Sequence, residues 1–423
     1  MNEYDSERIA QGLLDAGWQV SPDAEGADLL LLNTCTVRQL AEQKAFSLLG
    51  RWIALKRRRP EVVIGMVGCL AQHLAQDAFK RAPEIDFIAG PRALTRIPEL
   101  AEKAGRFRHG AEIGDSGYGH GVTTPVFHGW QARVAVMEGC NQFCAYCAVP
   151  HARGREMSRP VEDILQEVEK RLMSGAREIM LLGQNVNHYG FDLGKEMDFA
   201  ELLRQVAQLP GVSRIRFMTS HPKDFSPRLI KALAEIPHVC QALHLPLQSG
   251  ADAVLSAMRR GYTLAAYRDL VERLRAAVPG IGLSTDLIVG FPGETEEDFQ
   301  ATVQAVRDLN FDMAYCFKFS PRQGTVAATL PGAVFPDVRE KRLGELLENI
   351  RQAAVASQAG HVGKREKVLV EEMDPSRTGH VKGRTPINHW VSFPGPESWL
   401  GTEVPVNITA AYPGGLLGEP ETK

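Results

Sequence analysis

Short apolar runs alternate with longer stretches of helical spacing along most of this chain, and the pattern changes character twice. Residues 28–32 form a short buried-strand pattern that ends in Asn33, Thr34 and Cys35. Residues 62–67 form a second, ending in Gly68 and Cys69, and 85–89 a third. Between the first two, residues 39–58 carry apolar positions at helical spacing, with Leu40, Phe46, Leu49 and Ile53 on one stripe. Residues 1–105 are therefore predicted to form a small open α/β sheet. Residues 106–125 are rich in Gly, His and Ser and predict a linker or mobile loop.

From residue 126 the strand–helix rhythm resumes. Strands are predicted over 133–138, 178–182, 214–218, 241–245, 282–289 and 313–319. Helical patterns over 161–173, 199–209, 227–236, 264–278 and 296–309 separate them, and a last helix over 337–359 closes the segment 126–359. Six βα-type units with parallel strands predict a barrel or partial barrel, whose active site gathers at the C-terminal ends of the strands. In 360–423 the pattern turns to short β runs (367–371, 380–382, 389–393, 403–408) with a Pro-Gly-Gly turn at 413–415. A small β-barrel is the expected outcome.

The 423 residues, 44% hydrophobic and 23% charged, have ordinary globular composition, enough for two or three domains with ample cores. The N-terminus lacks a basic segment followed by an apolar one, and the longest apolar runs are far too short to span a bilayer. A cytoplasmic location without membrane contact is expected. A net charge of −3 gives no bulk support to an RNA partner. Locally, Arg51 with Lys56, Arg57, Arg58 and Arg59 forms a basic patch, which reads either as an RNA contact or as a solvated helix end favoured by the helix dipole.

Cysteine usage sharpens the picture. Seven cysteines in so long a chain do not make a secreted disulfide scaffold, and three of them fall within eight residues. The segment Gly139-Cys140-Asn-Gln-Phe-Cys144-Ala-Tyr-Cys147 has C-x3-C-x2-C spacing in the loop after the first barrel strand. Iron–sulfur clusters take thiolate ligands, and a tight loop can wrap three around one cube. With no fourth cysteine, one iron stays open and can bind S-adenosylmethionine (SAM) through its amino and carboxylate groups. One-electron reduction then releases a 5'-deoxyadenosyl radical. A structural zinc knot prefers four ligands in paired C-x2-C spacing. The spacing here, its strand-end placement and Tyr146 before the last cysteine argue against zinc.

The triad and its barrel resemble the radical SAM superfamily. The chain as a whole resembles the methylthiotransferase family, which joins an N-terminal cluster domain, a radical SAM core and a C-terminal TRAM domain. The matching segments are Met1-Asn-Glu-Tyr-Asp-Ser6, Asn33-Thr-Cys-Thr-Val-Arg38, Ala41-Glu-Gln-Lys44, Leu48-Leu-Gly-Arg-Trp52, Leu182-Gly-Gln-Asn-Val-Asn187, Leu245-Pro-Leu-Gln-Ser-Gly250, Met258-Arg-Arg-Gly-Tyr-Thr263 and Ser284-Thr-Asp-Leu-Ile-Val-Gly-Phe-Pro-Gly-Glu294. They are most similar to the branch that acts on N6-isopentenyladenosine in tRNA.

The resemblance implies two 4Fe-4S clusters. Cys140, Cys144 and Cys147 would be the catalytic triad that holds one of them with SAM. The other, auxiliary cluster would take Cys35, Cys69 and a third cysteine. Taken alone, Cys35 and Cys69 read as inert buried residues, but each follows a strand, and adjacent strand ends in an open parallel sheet converge on one crevice. The family's first cysteine lies in a Gly-Cys-Gln segment just upstream of the Met-Asn-Glu-Tyr stretch, where this chain opens. The third ligand and its strand are therefore expected to be missing, through a misassigned internal start or as a cluster with two cysteine ligands and impaired sulfur insertion. Cys240 and Cys316 fall in barrel strands and read as packed core.

By the same resemblance Gln184 and Asn185 would hold the amino group of SAM, for which amide oxygens are suitable acceptors; a polar turn is the plain alternative. Gly290 and Gly293 would let backbone approach the adenine, Tyr146 would contact the cofactor, and Gln248 and Ser249 could reach its sugar or the substrate. A TRAM domain implies RNA binding, with His389, Trp390, Phe393, Trp399 and Tyr412 available for base stacking or for filling the barrel. The implied reaction is methylthiolation at carbon 2 of N6-isopentenyladenosine at tRNA position 37. A radical would attack the C–H bond, the auxiliary cluster would supply or carry sulfur, and a second SAM would supply methyl. Implied partners are the tRNA anticodon stem-loop carrying that base, a reductase or flavodoxin-type electron donor and a sulfur donor, with the chain a monomer. Sibling branches act on threonylcarbamoyl-adenosine tRNA or a ribosomal-protein aspartate; Thr36-Val-Arg38 and Gln184-Asn-Val-Asn187 favour the first branch. A non-catalytic tRNA-binding iron–sulfur protein is the reading from another class.

Overall fold

The computed structural model describes residues 1–35, 39–104, 109–114, 129–194, 196–412 and 414–421, without the side chains of 39–41. The Thr36-Val-Arg38 segment, the Leu40 side chain and most of the expected linker lie outside the described residues. Leu29–Thr34, Val63–Gly68, Phe87–Ala89 and Gly110–Glu112 form a parallel sheet in that order. The first three are the expected strands. Gly110–Glu112 falls where a linker was expected and instead extends the sheet, its first amide donating to the Asp86 carbonyl at 3.0 Å. An edge strand needs only backbone groups to pair, so hydropathy does not reveal it.

The helix Gln39–Arg58 packs Leu49 and Leu55 against Leu30, Leu32, Ile64 and Met66 on one face of the sheet. A helix that the pattern does not predict, Asn2–Asp15, covers the other face through Ile9, which meets Val67, Phe87 and Ala89. Only Tyr4, Asp5 and Ile9 of that helix are buried, too sparse a stripe to register as periodicity. The basic patch is neutralised. Lys56 is buried against Asp86, Arg57 meets Glu84 at 3.1 Å, Arg58 meets Glu25 at 3.1 Å, and Arg59 meets Asp28 and Glu61 at 3.1 and 3.0 Å. Pairing of this kind weakens the RNA reading of the run, although Arg51, also in the patch, is exposed.

The central segment is a six-stranded partial barrel of two parallel sheets. Gln131–Ala135, Glu178–Leu182 and Arg214–Phe217 form one; Ala242–His244, Gly282–Val289 and Met313–Lys318 form the other. The sheets meet where Ile215 pairs with Val239. The strand expected over 133–138 breaks at Val136. Its end, Met137–Glu138, turns to pair antiparallel with Met157–Ser158 and carries the cysteine loop over the barrel mouth. Helices Val161–Met173, Phe199–Ala207, Pro227–Glu235, Leu264–Ala277 and Glu296–Leu309 line the outside and share one large core with the strands.

Five strands, Arg365–Met373, His380–Arg384, Trp390–Pro394, Glu403–Tyr412 and Gly415–Pro420, close the C-terminal barrel around Val368, Val370, Val381, Val391, Phe393 and Val406. Most of the aromatics offered for stacking serve this barrel: Phe393 is fully buried, Trp399 packs 6.3 Å from it, and His389 is buried beside His361. Trp390 and Tyr412 stay partly exposed, Trp390 with Lys382 4.6 Å from its ring centroid. Two buried arginines of the third barrel strand clamp this domain to the floor of the large barrel. Arg214 donates to the Arg384 and Lys367 carbonyls at 2.6 and 2.9 Å and to Glu403 at 2.7 Å. Arg216 donates to the Pro386 and Thr385 carbonyls at 2.8 and 2.7 Å and to Glu178 at 2.8 Å. Among the described residues no helix is long and apolar enough to cross a membrane.

Candidate active site

The cysteine loop is pinned at both ends and in the middle. Gly139 N–H donates to Gln184 Oε1 at 2.6 Å, Cys140 N–H to the Gly154 carbonyl at 3.2 Å, and Ala145 N–H to the Met258 carbonyl at 2.9 Å. Gly139 has φ 79°, and a Cβ there would lie 2.0 Å from the Arg155 carbonyl oxygen, so only glycine fits. Cys140, Cys144 and Cys147 are all partly exposed. Burial pushes the Cys140 thiol up to about 12 and the Cys147 thiol to about 11. Alone, such sulfurs keep their protons; a metal cluster would displace them. Among the described residues no three His, Cys, Asp or Glu side chains converge tightly enough to hold a single metal ion. The donor set suits a cube that spreads three thiolates over its corners.

Beside the loop opens a cavity of about 710 Å³, walled by Tyr146, Cys147, Gln248, Asp286, Phe317 and Arg339. The size fits a cofactor of SAM's class. Two buried acceptors at this end of the barrel have no partner among the described residues, Gln248 Oε1 and Asn185 Oδ1. Unpaired buried acceptors are costly; Gln248, on the cavity wall, would be satisfied by an amino or hydroxyl donor of such a ligand. Tyr146 and Gln248 line the cavity.

Other expected residues serve the site from behind. Gln184 spends its amide oxygen on Gly139. Ser249 is fully buried against Thr302 at 3.3 Å and does not reach the cavity. Gly290 and Gly293 (φ 72° and 84°) shape a turn; a Cβ on Gly290 would lie 2.2 Å from Arg339 Cγ, and Gly293 N–H donates to Gly332. Cys240 is buried core. Cys316, expected to be core, lies instead on the cavity wall, because its strand is the last of the sheet and only partly covered.

A polar network beneath the loop is not visible in the sequence. Glu156 accepts from Asn141 N–H at 3.1 Å, from Asn185 Nδ2 at 3.2 Å and from His188 Nδ1 at 2.6 Å. Asp224 accepts from Asn185 at 2.8 Å and Gln142 at 2.5 Å. Burial works against the Glu156 charge, but these donors outweigh it and hold the carboxyl below its usual range. The hydrogen bond it donates to Glu156 raises His188 above its ordinary 6.5. The stabilisation from His188 is fully present below that ordinary value and is lost as pH rises through the raised one. NMR titration is expected to place the His188 midpoint above 6.5, and Glu156→Gln to return it to that value or lower; a parental midpoint at or below 6.5 would contradict the geometry.

Cys35 and Cys69 follow neighbouring strand ends whose last residues, Thr34 and Gly68, are register partners. The two thiols are therefore side by side, as strand convergence predicts. Burial pushes the Cys69 thiol up, against the nearby Arg153 charge. Arg153 ends the short helix Val149–Arg153 that follows Cys147, and it binds buried Asp5 and lies 3.7 Å from Glu138. With Cys240 and Cys316 in the barrel, two thiols occupy this second site, one fewer than the resemblance implies.

The chain matches the Radical SAM superfamily over residues 134–306, the Uncharacterized protein family UPF0004 over 1–90 and the TRAM domain over 361–420. Proteins named tRNA-2-methylthio-N(6)-dimethylallyladenosine synthase are similar to it along nearly the whole length. That of Bordetella petrii is 44% identical, covering 98% of this chain and 88% of that protein. That of Chromohalobacter salexigens is 42% identical, covering 99% and 96%. Among solved structures, the radical S-adenosylmethionine methyltransferase TsrM from Kitasatospora setae, with cobalamin and a [4Fe-4S] cluster bound, superimposes with a TM-score of 0.59 at 17% identity, covering 77% of this chain and 74% of that one. That likeness is one of fold.

Proposed function

The chain belongs to the tRNA-2-methylthio-N(6)-dimethylallyladenosine synthase family, and from that membership we propose that it converts N6-isopentenyladenosine at position 37 of tRNA to the 2-methylthio derivative. It is a radical SAM methylthiotransferase. The observation that carries the assignment to this site is the C-x3-C-x2-C loop held over the barrel mouth beside a cavity of about 710 Å³. When bound, SAM and a 4Fe-4S cluster supply the one-electron chemistry that activates the adenine C–H bond.

The chain's own residues bind and orient. Cys140, Cys144 and Cys147 hold the cluster as thiolates. Asn185 Oδ1 and Gln248 Oε1 accept hydrogen bonds from SAM, and Tyr146 walls its pocket. Gln184, Glu156 and Asp224 keep the loop in place. Cys35 and Cys69 would supply ligands of a second cluster. The C-terminal barrel orients the anticodon stem-loop, with Trp390 and Tyr412 as the exposed rings. A reductase or flavodoxin-type donor delivers electrons, a separate donor restores sulfur, and the chain works as a monomer in the cytoplasm.

The test is mass spectrometry of tRNA nucleosides from a strain deleted for this gene. The 2-methylthio product is expected to vanish while N6-isopentenyladenosine accumulates. Undiminished product in the deletion strain would refute the assignment.

A further inference from the structure

Arg260 follows the short helix Asp252–Ala257 and is only 4% exposed. Every nitrogen of its guanidinium is engaged. Nε donates to the Tyr262 hydroxyl at 3.0 Å and Nη2 to the Pro246 carbonyl at 3.2 Å. Nη1 donates to Cys144 Sγ at 3.2 Å and to the Tyr146 hydroxyl at 3.4 Å. The Tyr262 ring lies 5.3 Å from the guanidinium carbon. Tyr262 is itself fixed, donating to the Pro246 and Leu247 carbonyls at 3.0 Å. The ionisable groups near Arg260 include Tyr146, Tyr262, Cys144, Cys147, Tyr267 and His221, none of them a carboxylate.

A guanidinium does not give up its proton in a protein, and burying one without an anion is expensive. Among the described residues, the one group hydrogen-bonded to Arg260 that becomes anionic under ordinary conditions is the Cys144 sulfur, once it is a cluster ligand. We infer that Arg260 is the resident counter-ion of the cluster at Cys140, Cys144 and Cys147, and that its charge-bearing hydrogen bond to Cys144 raises the reduction potential of that cluster. The reason is electrostatic. Reduction adds one electron, taken from a one-electron donor that is oxidised in turn, and so adds one negative charge. A fixed cation at hydrogen-bond distance from a ligand sulfur stabilises the more negative state. Arg260 is a positioning and tuning residue: it touches a ligand and the cavity wall, not the substrate.

The inference rests on the triad holding the cluster, which iron and sulfide counts test separately. The experiment uses the full chain carrying Cys35→Ala and Cys69→Ala, so that only the radical cluster titrates, with the potential followed by electron paramagnetic resonance. Arg260→Gln keeps length and donors but removes the charge. It is expected to hold the iron content of its parent and to lower the potential by a tenfold or greater loss in the reduced-to-oxidised ratio, 59 mV for one electron. Arg260→Lys, which keeps the charge but loses the fork, is expected to show a smaller fall. Arg260→Gln with full iron content and the parental potential overturns the inference. If Arg260→Gln fails to fill with iron, Arg260→Met, which also removes the charge, decides: a fall of that size supports the inference, and a parental or higher potential overturns it. Iron counts near zero in the parent itself would instead refute the reading of the triad.

Discussion

Replacing Cys144 by alanine is expected to cut 5'-deoxyadenosine formation from SAM by roughly a thousandfold or more, the scale on which loss of an essential reacting group acts. Iron bound at the triad is expected to fall with it, because two thiols do not retain a cube against solvent. The loop itself survives the change. Its path is set by backbone bonds from Ala145 to Met258 at 2.9 Å and from Ala327 to Ala145 at 2.7 Å, and neither uses the thiol. Cys240→Ala, in buried core near the C-terminal barrel, serves as the control and should leave both readouts unchanged. Product formation by Cys144→Ala at the parental rate would show that the triad is not the site of cleavage.

Arg153→Ala is expected to destabilise the chain by about 3–5 kcal/mol, the usual cost of removing one partner from a buried charge pair. The side chain is 4% exposed and faces Asp5, which has no exposed surface, and Glu138, which has almost none. Without the guanidinium both carboxylates are stranded. Burial already pushes the Glu138 carboxyl up from its ordinary value. In the variant its native form takes up a proton more readily than the unfolded chain does, so the deficit should narrow as pH falls and widen as pH rises. Denaturant unfolding at several pH values measures both effects; a loss under 1 kcal/mol, or one independent of pH, would contradict the buried charge cluster.

What the sequence discloses follows from distance along the chain. The triad is legible because its three cysteines lie within eight residues and their spacing is itself a chemical signal. The pairing of Cys35 with Cys69 is legible because each closes an apolar strand and parallel strands end together. The division into sheet, barrel and small barrel follows from periodicity; the strand order does not. Arg260 meets Cys144 across 116 residues and Asn185 meets Glu156 across 29, and no local pattern encodes such contacts. Arg260 does stand inside a segment that carries the family resemblance, but its partner cannot be read there. Ser249 and Gly290 show the opposite error. They neighbour the site in sequence, yet Ser249 bonds to Thr302 and Gly290 yields room to Arg339, so both shape the wall without reaching the cavity. The helix Asn2–Asp15 stays hidden because most of its surface faces water.

The arginine clamp between the two barrels has a consequence for substrate choice. Arg214 and Arg216 together make four bonds to main-chain carbonyls of the small barrel, at 2.6–2.9 Å, and two more to carboxylates. Main-chain oxygens do not swing with a side chain, so the small barrel is docked without a hinge. An RNA held by the small barrel, as proposed above, would be presented to the radical site at a fixed offset, and its nucleotide would then be chosen by distance from the grip.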